Sequence, residues 1–131
     1  MKNLIKTTVS TAALALFAAT SFADGMSEGG GARYVWTEGA FAGEYRLTLL
    51  ADGQIKWEGL EGAEKGKSAT ENGFYSTDIA EGVYLLSWLE KAGYTVNVIL
   101  NTEAKTINGI VSNEEEHYSL KGELLEFSTG N

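Results

Sequence analysis

Glu90 closes the run Ser87-Trp88-Leu89-Glu90, and a carboxylate at the end of a mostly apolar strand is this chain's foremost candidate for proton transfer. Burial would raise its pKa and suit it to accept a proton near neutral pH. Facing water beside Lys91, it would be an ordinary surface glutamate. Lys67 has the same two readings: a pocket cation paired with Glu90, or a solvated lysine in a glycine-rich loop. Trp36, Trp57 and Trp88, with Tyr45, Tyr84 and Phe74, carry enough aromatic surface to line a cavity for a planar ligand. The same rings could instead fill a core.

Other chemistry is poorly supplied. His117 follows Glu114-Glu115-Glu116, but it is the single histidine and there is no cysteine, so a solvated turn is expected there and no metal site. One histidine on an acidic loop offers no orienting partner for a serine nucleophile. Gly29-Gly30-Gly31 lacks the strand-to-helix setting and the lysine-serine pair of a phosphate loop.

The elements that must position these residues read as strands. Tyr34-Val35-Trp36 is a short aromatic and β-branched run followed by a turn at Glu38-Gly39. From Gly43 to Ala51, Tyr45, Leu47, Leu49 and Ala51 alternate against Glu44, Arg46 and Thr48, the period of a half-buried strand. Asp52-Gly53 then predicts a hairpin, with Ile55 and Trp57 on the returning strand. Gly59 to Lys67 reads as a loop or irregular strand, and Gly73 to Ile79 as an edge or bulged strand.

Val83 to Glu90 is apolar on both alternations, Val83, Leu85 and Leu89 against Tyr84, Leu86 and Trp88, which predicts that both faces are covered. A turn at Ala92-Gly93 leads into Tyr94, Val96, Val98 and Leu100, a one-sided strand. Strands at 107–111, 118–120 and 124–127 complete eight or nine, with no amphipathic helix in the mature chain. An open sheet of that size leaves one apolar face and two edges exposed, so a small closed antiparallel barrel is the expected all-β fold, with a β-sandwich as the alternative.

The pattern Gly82-Val83-Tyr84-x-x-Ser87-Trp88-x-Glu90, followed by a strand and Lys105-x-x-x-Gly109, resembles the phenolic acid decarboxylases and the related MoaF-like proteins. Both are lipocalin-like barrels of the calycin group, and the resemblance runs from Glu44-Tyr45 through Asp52-Gly53 and Gly66-Lys67 to Gly109-Ile110. The decarboxylase side implies a cofactor-free pocket in which tyrosines and an arginine hold the substrate's carboxylate and a glutamate handles the phenol proton. Glu90 matches that glutamate, Lys67 stands at the arginine, and Tyr45 matches a family tyrosine, with Tyr34 a further pocket hydroxyl. The paired catalytic tyrosines are replaced by Thr37 and Gly39, so the resemblance favours the MoaF-like side. The expected function is a barrel that binds a small apolar or aromatic molecule through Tyr34, Trp36, Tyr45, Trp57, Lys67, Tyr84, Trp88 and Glu90. A carboxy-lyase using Glu90 and Lys67, and a filled barrel acting as a protein-interaction module, are the alternatives.

Residues 1–23 read as a secretory signal peptide: Lys2 and Lys6, an apolar run from Ala12 to Ala19, and Ser21-Phe22-Ala23 before the cleavage point. The expected product is a secreted, periplasmic protein with no inserted membrane segment, comprising a flexible lead-in over 24–32 and one domain over 33–131. It retains 8 basic and 18 acidic residues of the full chain's complement, a net charge of −10, which disfavours nucleic acid and anionic membranes as partners. Without cysteine, its stability must come from an apolar core or a closed sheet.

Overall fold

The computed structural model describes residues 25–131, so the signal-peptide reading lies outside the described residues. The nine strands are β1 (Gly31–Trp36), β2 (Gly43–Leu49), β3 (Ile55–Gly62), β4 (Ser68–Glu71), β5 (Tyr75–Ala80), β6 (Val83–Leu89), β7 (Thr95–Asn101), β8 (Thr106–Ser112) and β9 (His117–Ser128). They form one antiparallel sheet in the order β4-β3-β2-β1-β9-β8-β7-β6-β5, curled into a half-open, lipocalin-like barrel. A single continuous sheet rules out the two-sheet sandwich. No helix among the described residues is long and apolar enough to cross a membrane.

Turn chemistry sets the register. Asp52 adopts a left-handed conformation (φ 61°, ψ 30°) and Gly53 follows at φ 74°, so β2 and β3 return with Leu49 opposite Ile55. At Ala92-Gly93, the Gly93 amide donates to the Glu90 carbonyl at 2.8 Å, and β6 pairs with β7 from Leu89–Thr95 to Val83–Asn101. The two sheet edges, β4 and β5, are consecutive in sequence. They do not pair with each other. The link between them is fixed by the Gly73 and Phe74 amides, both donating to the Gly53 carbonyl at 3.0 Å.

Residues 25–32 differ from the flexible lead-in expected of them. Met26 is buried among the core residues, its amide donates to Ser76 Oγ at 2.9 Å, and the Gly29 amide donates to the Leu49 carbonyl at 2.9 Å. Gly31 and Ala32 already belong to β1. A lone methionine in a Gly- and Ser-rich stretch carries no periodic signal, yet its side chain joins the buried core.

Inward-facing aliphatic side chains pack one half of the curled sheet. Leu47, Leu49, Ile55, Leu86, Val98, Leu100 and Ile107 are essentially inaccessible to solvent, each contributing about 1.5–3 kcal/mol relative to exposure. This closed half stabilises the sheet and leaves the other half free to stay hollow. Three strand expectations change. Ser68–Glu71 is a strand that has no apolar period to announce it, and 118–120 and 124–127 are parts of the single long β9. The outer face of β6 is not fully covered, because Leu89 is 62% exposed.

Candidate functional site

The hollow half of the barrel opens between the β1–β2, β3–β4 and β6–β7 connections. Its depth comes from β1 and β2: Tyr34 and Tyr45 stack with ring centroids 5.7 Å apart, and Trp36 meets Tyr34 edge-on at 5.1 Å. Their alternation on neighbouring strands follows from the pairing of Tyr34 with Tyr45 and the inward phase of both strands. Trp36 fits because glycines stand opposite it. Its ring lies over Gly109 of β8 and Gly122 of β9, and an added Cβ would meet it at 3.2 and 3.0 Å. The Gly109 of the sequence pattern therefore makes room for an indole.

The resulting cavity has a volume of about 170 Å³. Trp57 and Trp88 wall it beside Tyr45, Phe41 and Tyr94 stand at its mouth, and Val96, Val111 and Leu120 close the far side. Phe41 is held over the opening by edge-on contacts with Tyr94 and Tyr118, at 6.4 and 5.5 Å. Glu116 accepts hydrogen bonds from both of those tyrosine hydroxyls, which fixes the rim; its carboxyl is held below the usual range by the bond from Tyr118 first and that from Tyr94 second.

Two carboxylates reach the cavity. Glu90 sits one residue past β6, where its Oε2 accepts the Trp88 indole N–H at 3.1 Å. Glu64 comes from the β3–β4 turn, and its Oε1 accepts the Tyr45 hydroxyl at 2.9 Å, a proton that hydroxyl shares with the Phe41 carbonyl at 2.8 Å. A third, Glu71 of β4, is 3% exposed and acts beside the cavity: it accepts the Trp57 indole N–H at 3.1 Å and the Lys91 amide at 2.9 Å. Glu71 thereby ties the edge strand to the β6–β7 turn across the unpaired seam.

Burial is the main cause that raises the Glu90 pKa above the ordinary carboxylate value; the Trp88 bond opposes it, and the charges of Glu71 and Glu64 add to it. The hydroxyls of Tyr34 and Tyr45 are likewise pushed up, chiefly by burial. For Glu90, the stability that its neutral form confers is complete below the ordinary carboxylate pKa, about 4.3, and is lost as pH rises through the higher folded value. Glu90→Gln keeps an acceptor for the Trp88 indole and never ionises. It is expected to raise the urea midpoint at pH 7, with the gain vanishing below about pH 4; an equal gain at both pH values would contradict this.

Of the residues singled out in the sequence, the fold brings together Tyr34, Trp36, Tyr45, Trp57, Trp88 and Glu90. Two go elsewhere. Lys67 lies in the β3–β4 turn with its side chain exposed and outside the cavity lining, because the turn directs Glu64, not Lys67, toward Tyr45. Tyr84 has the inward phase expected of it but lies toward the closed end, against Phe127 at 4.9 Å. Glu64, Phe41 and Tyr94 were not expected in the lining. Glu114 to His117 form the exposed β8–β9 turn and the start of β9.

The MoaF-like family model matches residues 31–125, which span β1 through most of β9 and every residue of the cavity lining. The chain belongs to the MoaF-like family. Among solved structures, it is similar to a candidate β-lactamase from Burkholderia vietnamiensis, with a TM-score of 0.64 and 16% sequence identity over 77% of this chain and 94% of that one. At that identity the likeness concerns the fold alone. No curated protein matches the chain. This MoaF-like chain couples a packed barrel end to an aromatic cavity.

Proposed function

We propose that this MoaF-like barrel is secreted and binds a small apolar or aromatic molecule in its interior. The observation that carries this reading is the 170 Å³ cavity walled by Trp36, Trp57, Trp88, Tyr34 and Tyr45. A dry apolar cavity of about 150 Å³ is large enough for benzene, so the space admits one ring-sized ligand. Aromatic walls supply large contact area with little loss of side-chain freedom. The solid end bears the cost in stability that an open interior brings.

Carboxy-lyase chemistry finds weaker support. Glu90 has the raised pKa of a proton acceptor, but a substrate carboxylate needs a cation, and no basic side chain among the described residues lines the cavity. A filled interaction module is disfavoured by the cavity itself. Native mass spectrometry of the purified protein and titration of its tryptophan fluorescence test the binding reading. A retained small molecule, or a saturable fluorescence change with small aromatic and apolar compounds, is expected; neither occurring would overturn it.

A further inference from the structure

The cavity is rich in ring faces and carries negative charge without a balancing positive side chain among the described residues. We propose that its ligand is a small organic cation, an ammonium bearing apolar substituents. This rests on the binding reading above and specifies the ligand's charge.

Three observations converge on it. The first is the wall itself. The faces of tryptophan and tyrosine rings carry partial negative charge and attract an ammonium within about 6 Å of the ring centre. Tyr34, Trp36 and Tyr45 are already clustered at 5.1 and 5.7 Å centroid separations, with Trp57 and Trp88 beside them, so one guest would meet several rings at once.

The second is the use of the carboxylates. Glu64 and Glu90 each engage an aromatic donor through one oxygen, and among the described residues neither forms an ion pair. Lys65, Lys67 and Lys91 are close in sequence but exposed, and none lines the cavity. An anionic guest would add repulsion to two carboxylates in a partly desolvated site, and a neutral guest would leave them uncompensated. A cation is attracted by both, and its single charge offsets one of them.

The third is Tyr34, which lines the cavity, is 3% exposed, and has no hydrogen-bond partner for its hydroxyl among the described residues. Among the described residues Asp78 Oδ1 is the buried side-chain atom that lacks a partner; the Tyr34 hydroxyl instead borders the cavity, where a ligand's polar group can meet it. The cation thus has a polar handle as well as an apolar shell.

Proton linkage follows. Glu90 faces Trp88 on β6, Glu71 on β4, Glu64 on the β3–β4 turn, and the hydroxyls of Tyr34, Tyr45 and Tyr94, so acidic groups surround it. A cation favours the ionised form of Glu90, and its affinity should therefore rise with pH until Glu90 is fully ionised.

Calorimetric titration of the full chain with choline and with its uncharged isostere, 3,3-dimethylbutan-1-ol, separates charge from shape. Choline is expected to bind on the order of tenfold more tightly, and the ratio of the two affinities should fall toward one in Glu90→Gln and in the Glu64→Gln, Glu90→Gln pair. Circular dichroism and the retained binding of the isostere establish that each variant is folded. Equal affinities, or a ratio unchanged in both variants, would overturn the cation proposal while leaving cavity binding in place. Binding of neither compound would overturn the proposal together with the reading beneath it.

Discussion

Glu71→Ala is expected to lower the stability of the barrel by about 2–6 kcal/mol, since two part-buried donors to a buried carboxylate each lose an acceptor worth about 1–3 kcal/mol. The donors are the Trp57 indole N–H and the Lys91 amide, and the residue between them is 3% exposed, so water has poor access to replace the carboxylate. The effect is large against the ~5–15 kcal/mol total of a typical domain. It is structural as well as local: β4 and β5 are unpaired edges, and Glu71 joins β4 to the β6–β7 turn that carries Glu90. Glu71→Gln keeps one acceptor and should lose less. Urea unfolding reads both changes, and hydrogen exchange at the Lys91 amide should accelerate most in the alanine variant. A loss below about 0.5 kcal/mol, within the range of ordinary surface substitutions, would mean that the seam is held elsewhere.

Gly59→Ala should damage both the fold and the site. Gly59 stands opposite Tyr45 on β3, and an added Cβ would lie 2.0 Å from the Glu64 carbonyl oxygen and 2.6 Å from its carbon. These are backbone atoms, so the turn must move. Gly59 also anchors that turn directly, donating to the Lys67 carbonyl at 2.8 Å and accepting from the Gly66 amide at 2.9 Å. Crowding of this kind costs about 1–3 kcal/mol. Displacing the turn withdraws Glu64 from Tyr45, so the preference for choline over its isostere should shrink even where the barrel still folds. Unchanged stability together with an unchanged preference would show that Glu64 is not positioned through Gly59.

What the sequence made legible follows from the range of each signal. The Asp52-Gly53 hairpin and the inward phase of Tyr45, Leu47 and Leu49 are local properties, set by turn chemistry and a period of two, and both are realised. The aromatic wall was legible for the same reason. Phase along a strand does not give depth along the barrel, however, and Tyr84 faces inward at the closed end while Trp88, four residues on, lines the cavity.

The charged residues were harder to assign. Lys67 and Glu64 share one glycine-rich turn, and which of them meets Tyr45 depends on how Gly59 and Gly66 fold that turn back. Glu71 lies in Ser-Ala-Thr-Glu, a strand without apolar alternation, and its partners are 14 and 20 residues away. Met26 gave no periodic cue either, since it lies in the segment before β1 and is tied to Ser76 of β5, 50 residues away. In each case the deciding contact is long-range, and neighbouring residues carry no trace of it.

Proton–nitrogen correlation spectra of the full chain during titration with choline test most directly whether the barrel interior is the binding site. The indole N–H signals of Trp36, Trp57 and Trp88 should move together in one saturable step, with Trp88 responding through its bond to Glu90, while the amides of outward-facing Ile99 and Ile110 stay in place. Indole signals that do not move at saturating choline, or shifts confined to the outer face, would contradict an interior site.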